Sequence, residues 1–174
     1  MNLNTKLKNL DKDIKYILIS FLITMGFGIF TGLAYLYYTT DSSSKGIIDN
    51  YVGTEDISYE DWDENLDKPM KTKKYLHDML ELTHTHVTSF AFISVLLGII
   101  FYFNSIIIGK LKIFLIIEPF VSTLITFSSL WIMRYFNQSF VYLVILSSTL
   151  LYLCWTIMLF VSLYELIFSK KSNP

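Results

Sequence analysis

The chain has 174 residues, 53% of which are hydrophobic, and a formal net charge of −1. Its mean hydropathy of +0.47 is too high for an ordinary soluble domain of this size and predicts an integral membrane protein. The nearly balanced charge offers no overall field for a polyanion, so we expect no nucleic-acid partner. The single cysteine, Cys154, excludes a disulfide within the chain.

Four apolar runs predict membrane-spanning helices at about residues 16–38, 87–103, 111–135 and 140–168. At ~1.5 Å rise per residue, each helix can cross a hydrocarbon core of ~30 Å, the shortest only with help from its flanks. The first run is too long for the apolar part of a signal peptide, ~7–15 residues, so we interpret it as a retained span.

The predicted fold is therefore an all-α integral membrane protein, a four-transmembrane-helix bundle forming one domain over residues 1–174. Residues 39–74 form its one extracytoplasmic loop, of about 40 residues, and the helix of the second span extends back to about residue 75. Backbone groups in lipid must pair within their own segment, which favours helices over open strands.

Lysine positions predict the orientation. The short segments "NSIIIGKLK" and "SKKSNP" and the amino-terminal "MNLNTKLKNLDKDIKY" are all basic, which predicts that both termini are cytoplasmic. The segment 39–80 then lies outside and is rich in acidic residues.

Gly28 and Gly32 in the first span form a GxxxG step, which lets a second helix approach closely. The partner is either another helix of this chain or a different subunit. In both cases we expect the step to face a neighbouring helix and Gly28→Leu to destabilise the fold or the assembly.

All three histidines lie in "HDMLELTHTH", residues 77–86, together with Glu81. With ~100° per residue on a helix, His77, Glu81 and His84 share a face and His86 points the opposite way. His77 with Glu81, or Glu81 with His84, has a spacing that can supply two metal ligands. The candidate metal ligands are thus His77, Glu81 and His84, and the candidate cofactor ligands are His84 and His86.

A haem or a transition metal at this window would need a second copy, a partner subunit or an acid from the outer loop, because no other helix carries a histidine. A di-iron centre would need acids at the depth of the histidines. Glu118 and Glu165 lie near the cytoplasmic ends of their helices instead, so this possibility fails. If a site exists, we expect His84 to face the bundle, oriented by Glu81, and His86 to act towards the other side.

Two other interpretations of the window stay open. The histidines can be interfacial residues that bind loop backbone or water, with Glu81 in an ion pair with Arg134. They can also serve proton transfer or gating.

The acids Glu118 and Glu165 lie towards the cytoplasmic ends of the third and fourth spans, Glu118 directly before Pro119. Either both reach the interface and meet nearby lysines, or they give a proton or ion access to the membrane. The lysines in question are Lys110, Lys112 and Lys170.

Three stretches, "YVGTED", "ELTHTHVTSFAFISVLLGIIFYF" and "KLKIFLIIEPFVSTLITFSSLWIMRY", with "SLYEL" near the end, carry a resemblance. The chain resembles uncharacterised bacterial four-span membrane proteins with a Thr-His-Thr-His motif entering the second span. This resemblance implies a multi-pass protein of the bacterial inner (plasma) membrane. The His-x-His helix is remotely similar to helices of haem–copper oxidase-type respiratory proteins, where histidines bind haem or copper, and only His84 and His86 match.

Three functions follow from these patterns. The first is a small subunit of a larger bacterial membrane complex, associated with electron transfer, with its histidines near a cofactor or partner. The second is a non-catalytic scaffold or assembly protein that binds an extracytoplasmic partner through residues 39–80. The third is an accessory to a transporter or proton pathway. We expect no enzyme activity from the chain alone, because the sequence shows no nucleophile–base pair and no phosphate loop.

Overall fold

The computed structural model describes residues 6–54 and 71–169. Four of its helices are long and apolar enough to cross a membrane, and the described residues contain no strand, which confirms the all-α fold with four spans. The helices are α1 (Lys12–Thr40), α2 (Ser44–Val52), α3 (Leu76–Tyr102), α4 (Gly109–Tyr135) and α5 (Val141–Phe168). Short 3-10 turns, Leu7–Asn9 and Gln138–Phe140, precede α1 and α5.

The spanning helices alternate in direction, so each end of the bundle collects different connections. We call the end that holds α2, the start of α3 and the α4–α5 turn (136–140) the hairpin end. The opposite end, where α1 begins and α5 finishes, is the Glu165 end.

The antiparallel pair α4 and α5 forms the centre of the bundle, with α3 packed against both. One buried core includes Leu97, Phe101 and Trp155, and a second lies towards the hairpin end around Met79 and Phe127. α1 packs on α5 at the periphery, and only 17% of its most apolar stretch is buried within the chain. Most apolar side chains of α1 are therefore left uncovered by the rest of the described chain.

α3 begins at Leu76, in a polar stretch that precedes the apolar run of the second span. Asp78 Oδ2 accepts a hydrogen bond from the Tyr75 N–H at 3.0 Å, which satisfies a backbone donor that a helix start leaves open. The helix then continues without a break from Leu76 to Tyr102, so the whole histidine window is helical.

The segment predicted as a plain outer loop contains the additional helix α2. Ser43 caps it by accepting from the Gly46 N–H at 2.9 Å, and the preceding Asp41 and Ser42 take left-handed conformations that reverse the chain after α1. A Cβ on Gly46 would lie 2.0 Å from the Thr40 carbonyl oxygen, so only glycine fits this turn. The buried side chain of Ile47 then fixes α2 to the second core.

The two ends of the segment 55–70 are held together at the hairpin end. The Thr54 N–H donates to the Lys71 carbonyl at 2.9 Å, and the Lys71 N–H donates to Thr54 Oγ1 at 3.0 Å. Nearby, the Lys74 N–H donates to the Tyr51 carbonyl at 3.0 Å. The residues that flank this segment are thus held to each other, and the stretch before α3 is held to the end of α2.

The glycine step of α1 corrects one expectation. A Cβ on Gly28 would meet nothing within 4 Å, whereas one on Gly26 would lie 2.9 Å from Leu159 Cδ2 on α5. A Cβ on Gly32 would lie 3.5 Å from the hydroxyl oxygen of Tyr152, also on α5. The close approach to α5 therefore uses Gly26 and Gly32, while Gly28 faces outward from the chain.

We expect Gly26→Leu to lower the free energy of unfolding by ~1–3 kcal/mol, because the added side chain overpacks the contact with Leu159. The matched variant Gly28→Leu should change it by less than ~0.5 kcal/mol, since that position is open. Thermal unfolding of the purified protein in detergent measures both. A larger loss for Gly28→Leu would mean that a second subunit covers this face of α1.

Burial, with a smaller effect from Tyr35 and Tyr152, raises the pKa of Tyr51 in α2 to about 12 from its ordinary 10.0. The folded state thus holds this proton more tightly than the unfolded chain does. Its contribution to stability is complete below pH 10.0 and is lost as the pH rises through about 12.

We therefore expect unfolding experiments in this pH range to show a fall in stability of up to ~1.4 kcal/mol per pH unit from this group. Tyr51→Phe should make the pH dependence shallower, and Tyr37→Phe, at an exposed position, should not. Equal slopes in both variants would contradict the burial of the Tyr51 hydroxyl.

Candidate functional site

α3 turns one face of the histidine window away from the bundle. The side chains of His77 and Glu81 are 86% and 73% exposed, and His84 is exposed as well. The buried face of this part of α3 carries Met79 instead, followed by the half-buried Thr83, which accepts a hydrogen bond from the Trp131 indole at 2.9 Å. The expectation that His84 faces the bundle is therefore wrong, because the apolar side chains of α3 fall on the opposite face.

His86 is the histidine that turns towards α4. Its ring centroid lies 6.0 Å from that of Phe127 and 5.7 Å from that of Phe90. Its Nδ1 is 2.9 Å from the Leu82 carbonyl oxygen, one turn earlier in the same helix. The polar ring thus finds its hydrogen bond within α3 and needs no partner from another helix.

The described residues contain no group of three or more histidine, cysteine or acidic side chains that could hold a metal ion. Within the window, His77 Nδ1 lies 4.0 Å from Glu81 Oε2 and 3.9 Å from Asp78 Oδ1, on an exposed surface. A cofactor at His84 and His86 stays a prediction, and its further ligands would come from a second copy, a partner subunit or an acid of the outer loop, whose residues 55–70 lie outside the described ones.

Arg134 does not form the expected ion pair with Glu81. Its Nε donates to the Lys74 carbonyl at 2.9 Å, and its guanidinium carbon lies 5.1 Å from the centre of the Tyr135 ring. The arginine thus fastens the end of α4 to the segment before α3, a backbone partner that the sequence pattern does not reveal.

Glu118 and Glu165 are both buried inside the bundle. This corrects the interpretation that they reach the membrane interface and meet lysines there. Glu118 is 7% exposed and Glu165 is fully buried. Lys112 Nζ donates to the carbonyls of Asn104 and Tyr102 instead, at 2.5 and 3.2 Å. Lys170 lies outside the described residues.

The Glu165 carboxylate joins three segments at its end of the bundle. Its Oε2 accepts from Asn104 Nδ2 at 2.5 Å and from the Ser105 N–H at 2.6 Å, both in the α3–α4 connection. Its Oε1 accepts from Ser105 Oγ at 2.7 Å and from the Lys8 N–H at 3.3 Å, in the segment before α1. With both oxygens satisfied, this carboxylate is a structural anchor.

Glu118, unlike Glu165, has hydrogen-bond donors among the described residues at only one of its two carboxylate oxygens. Its Oε1 accepts a hydrogen bond from the Ser122 hydroxyl, one turn further along α4. Its Oε2 is buried and has no hydrogen-bond partner among the described residues. On the facing helix, the buried Cys154 is the nearby titratable side chain. No described lysine, arginine or histidine pairs with it.

Buried hydroxyl groups continue from Glu118 towards the hairpin end. They lie on the face of α4 that packs against α5, at spacings of three or four residues. Thr126 Oγ1 and Ser147 Oγ, on α4 and α5, are hydrogen-bonded at 2.7 Å. The members on α4 are Ser122, Thr126 and Ser129.

A sequence signal for this arrangement exists. Glu118 is the only acid between residues 82 and 164, and serine or threonine recurs at the fourth and eighth positions after it. This spacing indicates that the three residues share one helix face, but it does not indicate whether that face contacts lipid or protein.

We expect Glu165→Ala to lower the free energy of unfolding by roughly 3 kcal/mol, because hydrogen bonds to charged groups contribute ~1.5–3 kcal/mol each. The segment before α1 should also become more sensitive to trypsin at Lys8 and Lys12. Glu81→Ala, at an exposed position, serves as the control and should leave both readouts unchanged. Unchanged stability in the Glu165 variant would contradict the anchoring role.

A family model of a transmembrane helical domain, Aq_1264_TM, matches residues 41–173, which include α2 to α5 and both buried acids. The comparisons with curated proteins and with solved structures found no match. The similarity to haem–copper oxidase helices thus has no support there, whereas the assignment to a membrane-protein family does. Because the match covers most of the sequence, the chain belongs to the Aq_1264_TM family of transmembrane helical domains.

Proposed function

We propose that this membrane protein is an accessory subunit of a proton pathway, in which Glu118 takes up and releases a proton inside the bundle. The observation that carries the proposal is the unpartnered Oε2 of a carboxyl group that is 7% exposed. Burying an unpaired charge in an apolar surrounding is costly, and ionisable groups within membranes commonly serve function.

The chemistry of the site favours a proton over a metal ion. A proton neutralises a single carboxylate and converts the free oxygen into a hydroxyl donor. Magnesium or calcium requires about six or more oxygen ligands, and at this depth the sequence supplies one acid and a few hydroxyls. The Ser122 hydroxyl stabilises the ionised form by donating to Oε1, so the ionised carboxylate also has a hydrogen-bonding partner at hand.

Proton handling replaces electron transfer as the preferred function, since all three histidines of α3 are exposed and the His86 ring hydrogen-bonds within its own helix. Association with other membrane or extracytoplasmic subunits remains part of the proposal, because α1 leaves most of its apolar surface uncovered. From the lysine positions, we further propose that the Glu165 end faces the bacterial cytoplasm.

Dicyclohexylcarbodiimide tests the site directly, because it reacts with protonated carboxyl groups in apolar surroundings. The acid proton moves to a carbodiimide nitrogen, and the carboxylate oxygen bonds to the central carbon. The adduct then rearranges to a stable acylurea without a leaving group. In the purified protein we expect labelling of the peptide with Glu118, at a rate that falls as the pH rises.

Glu118→Gln should abolish this label while the protein stays folded by thermal unfolding. Glu81→Gln should keep it, because that carboxyl lies in the exposed part of α3. A folded protein that is not labelled at Glu118 at any pH would refute the proposed function.

A further inference from the structure

The surroundings of Glu118 differ on its two sides along the bundle axis. Towards the hairpin end, Ser122 and Thr126 follow at intervals of four residues, and Ser129 lies three residues further. At ~1.5 Å per residue, each step measures ~4.5–6 Å, a gap that one water molecule can bridge. This side offers a series of polar groups as far as the buried Ser129, beyond which lies the second core around Met79 and Met133.

α5 contributes to the same series. The Ser147 hydroxyl is 5% exposed and bonds to Thr126 Oγ1 at 2.7 Å and to the Leu143 carbonyl at 2.7 Å. A hydroxyl that both donates and accepts can pass a proton along a hydrogen-bonded chain. The pair thus joins the two helices about two turns from Glu118.

Towards the Glu165 end, the series is interrupted. Because α4 and α5 are antiparallel and pair Thr126 with Ser147, the next level below Glu118 is occupied by Leu115 and Met158. Both side chains are buried, at 3% and 0% exposure. The next hydroxyl on that side, Ser162 on α5, lies about seven residues from the level of Glu118, ~10 Å along the axis.

The Glu165 end is also closed by the chain itself. The Leu7 side chain is 1% exposed and belongs to the core, and the Leu7 N–H donates to the Phe103 carbonyl at 3.0 Å. The anchored carboxylate of Glu165 holds the next residue, Lys8, in place. Water reaching Glu118 from this end would have to pass both layers.

We infer that Glu118 exchanges its proton with the hairpin end alone, through the hydroxyl groups of Ser122, Thr126, Ser147 and Ser129. This inference rests on the proposed function and specifies the end of the bundle from which protons reach Glu118. The titratable side chain near Glu118 on α5 is Cys154, and the neighbouring face of α3 presents Ser94 and Gly98 against α4. The pH dependence of labelling therefore reports Glu118 with Cys154 as its titratable neighbour among the described residues.

Proteoliposomes with separate internal and external pH test the inference. Ser139→Cys, in the exposed α4–α5 turn, marks orientation: an impermeant maleimide tags only molecules whose hairpin end faces outward. A pulse of dicyclohexylcarbodiimide, which crosses the bilayer, follows a sudden external acidification. Intact-protein mass spectrometry then reads both labels on the same molecule, and Cys154 stays untagged because it is buried.

We expect the maleimide-tagged molecules to gain the carbodiimide label after external acidification and the untagged molecules to remain unlabelled. Thr126→Val should slow the gain roughly tenfold, the size of effect expected when one hydrogen bond of the series is lost. Ser148→Ala is the matched control, because that hydroxyl bonds to the Ile145 carbonyl on another face of α5.

Labelling of the untagged molecules, alone or together with the tagged ones, would overturn the one-sided access. Equal rates for Thr126→Val and Ser148→Ala would overturn the route through the hydroxyl series. Absence of label from Glu118 when both compartments are acidic would instead overturn the proposed function itself.

Discussion

The cost of placing polar groups in an apolar surrounding decides most features of this protein. Backbone amides in the spans are satisfied by helix formation, and hydroxyl side chains turn back to helix carbonyls, as Thr123 does towards Pro119 at 2.7 Å. The carboxyl groups find at most a partial local solution, as Glu118 does with the Ser122 hydroxyl. Glu165 is satisfied by donors from other segments, and that one requirement fixes the α3–α4 connection and the segment before α1.

Glu118 is a buried carboxyl group whose need for hydrogen-bond donors is met by the described residues at only one of its two oxygens. One oxygen of the Glu118 carboxyl is without a hydrogen-bond partner among the described residues, whereas both oxygens of Glu165 accept hydrogen bonds. The two buried acids thus differ in the number of donors around them. The anchor keeps its end closed, and this closure makes the surroundings of Glu118 asymmetric.

The hairpin end is held together by contacts that the pattern of apolar residues in the sequence does not predict. α2 is held by Ile47, and Arg134 holds the segment before α3 through the Lys74 carbonyl. These contacts set the positions from which the segment 55–70 leaves and returns. A scaffold function for that acidic segment would use this platform, while the histidine face of α3 beside it stays exposed.

The sequence by itself determined the number of spans and their helical form, because lipid leaves no other way to satisfy a long apolar backbone. It also determined that His86 opposes His84, since helical geometry fixes the angle between them. Only the tertiary structure decided which of these faces meets protein, that α1 approaches α5 at Gly26 rather than Gly28, and that both inner acids are buried. Such choices depend on the facing helix: in a membrane, lipid and protein interior are equally apolar, so hydropathy alone cannot distinguish them.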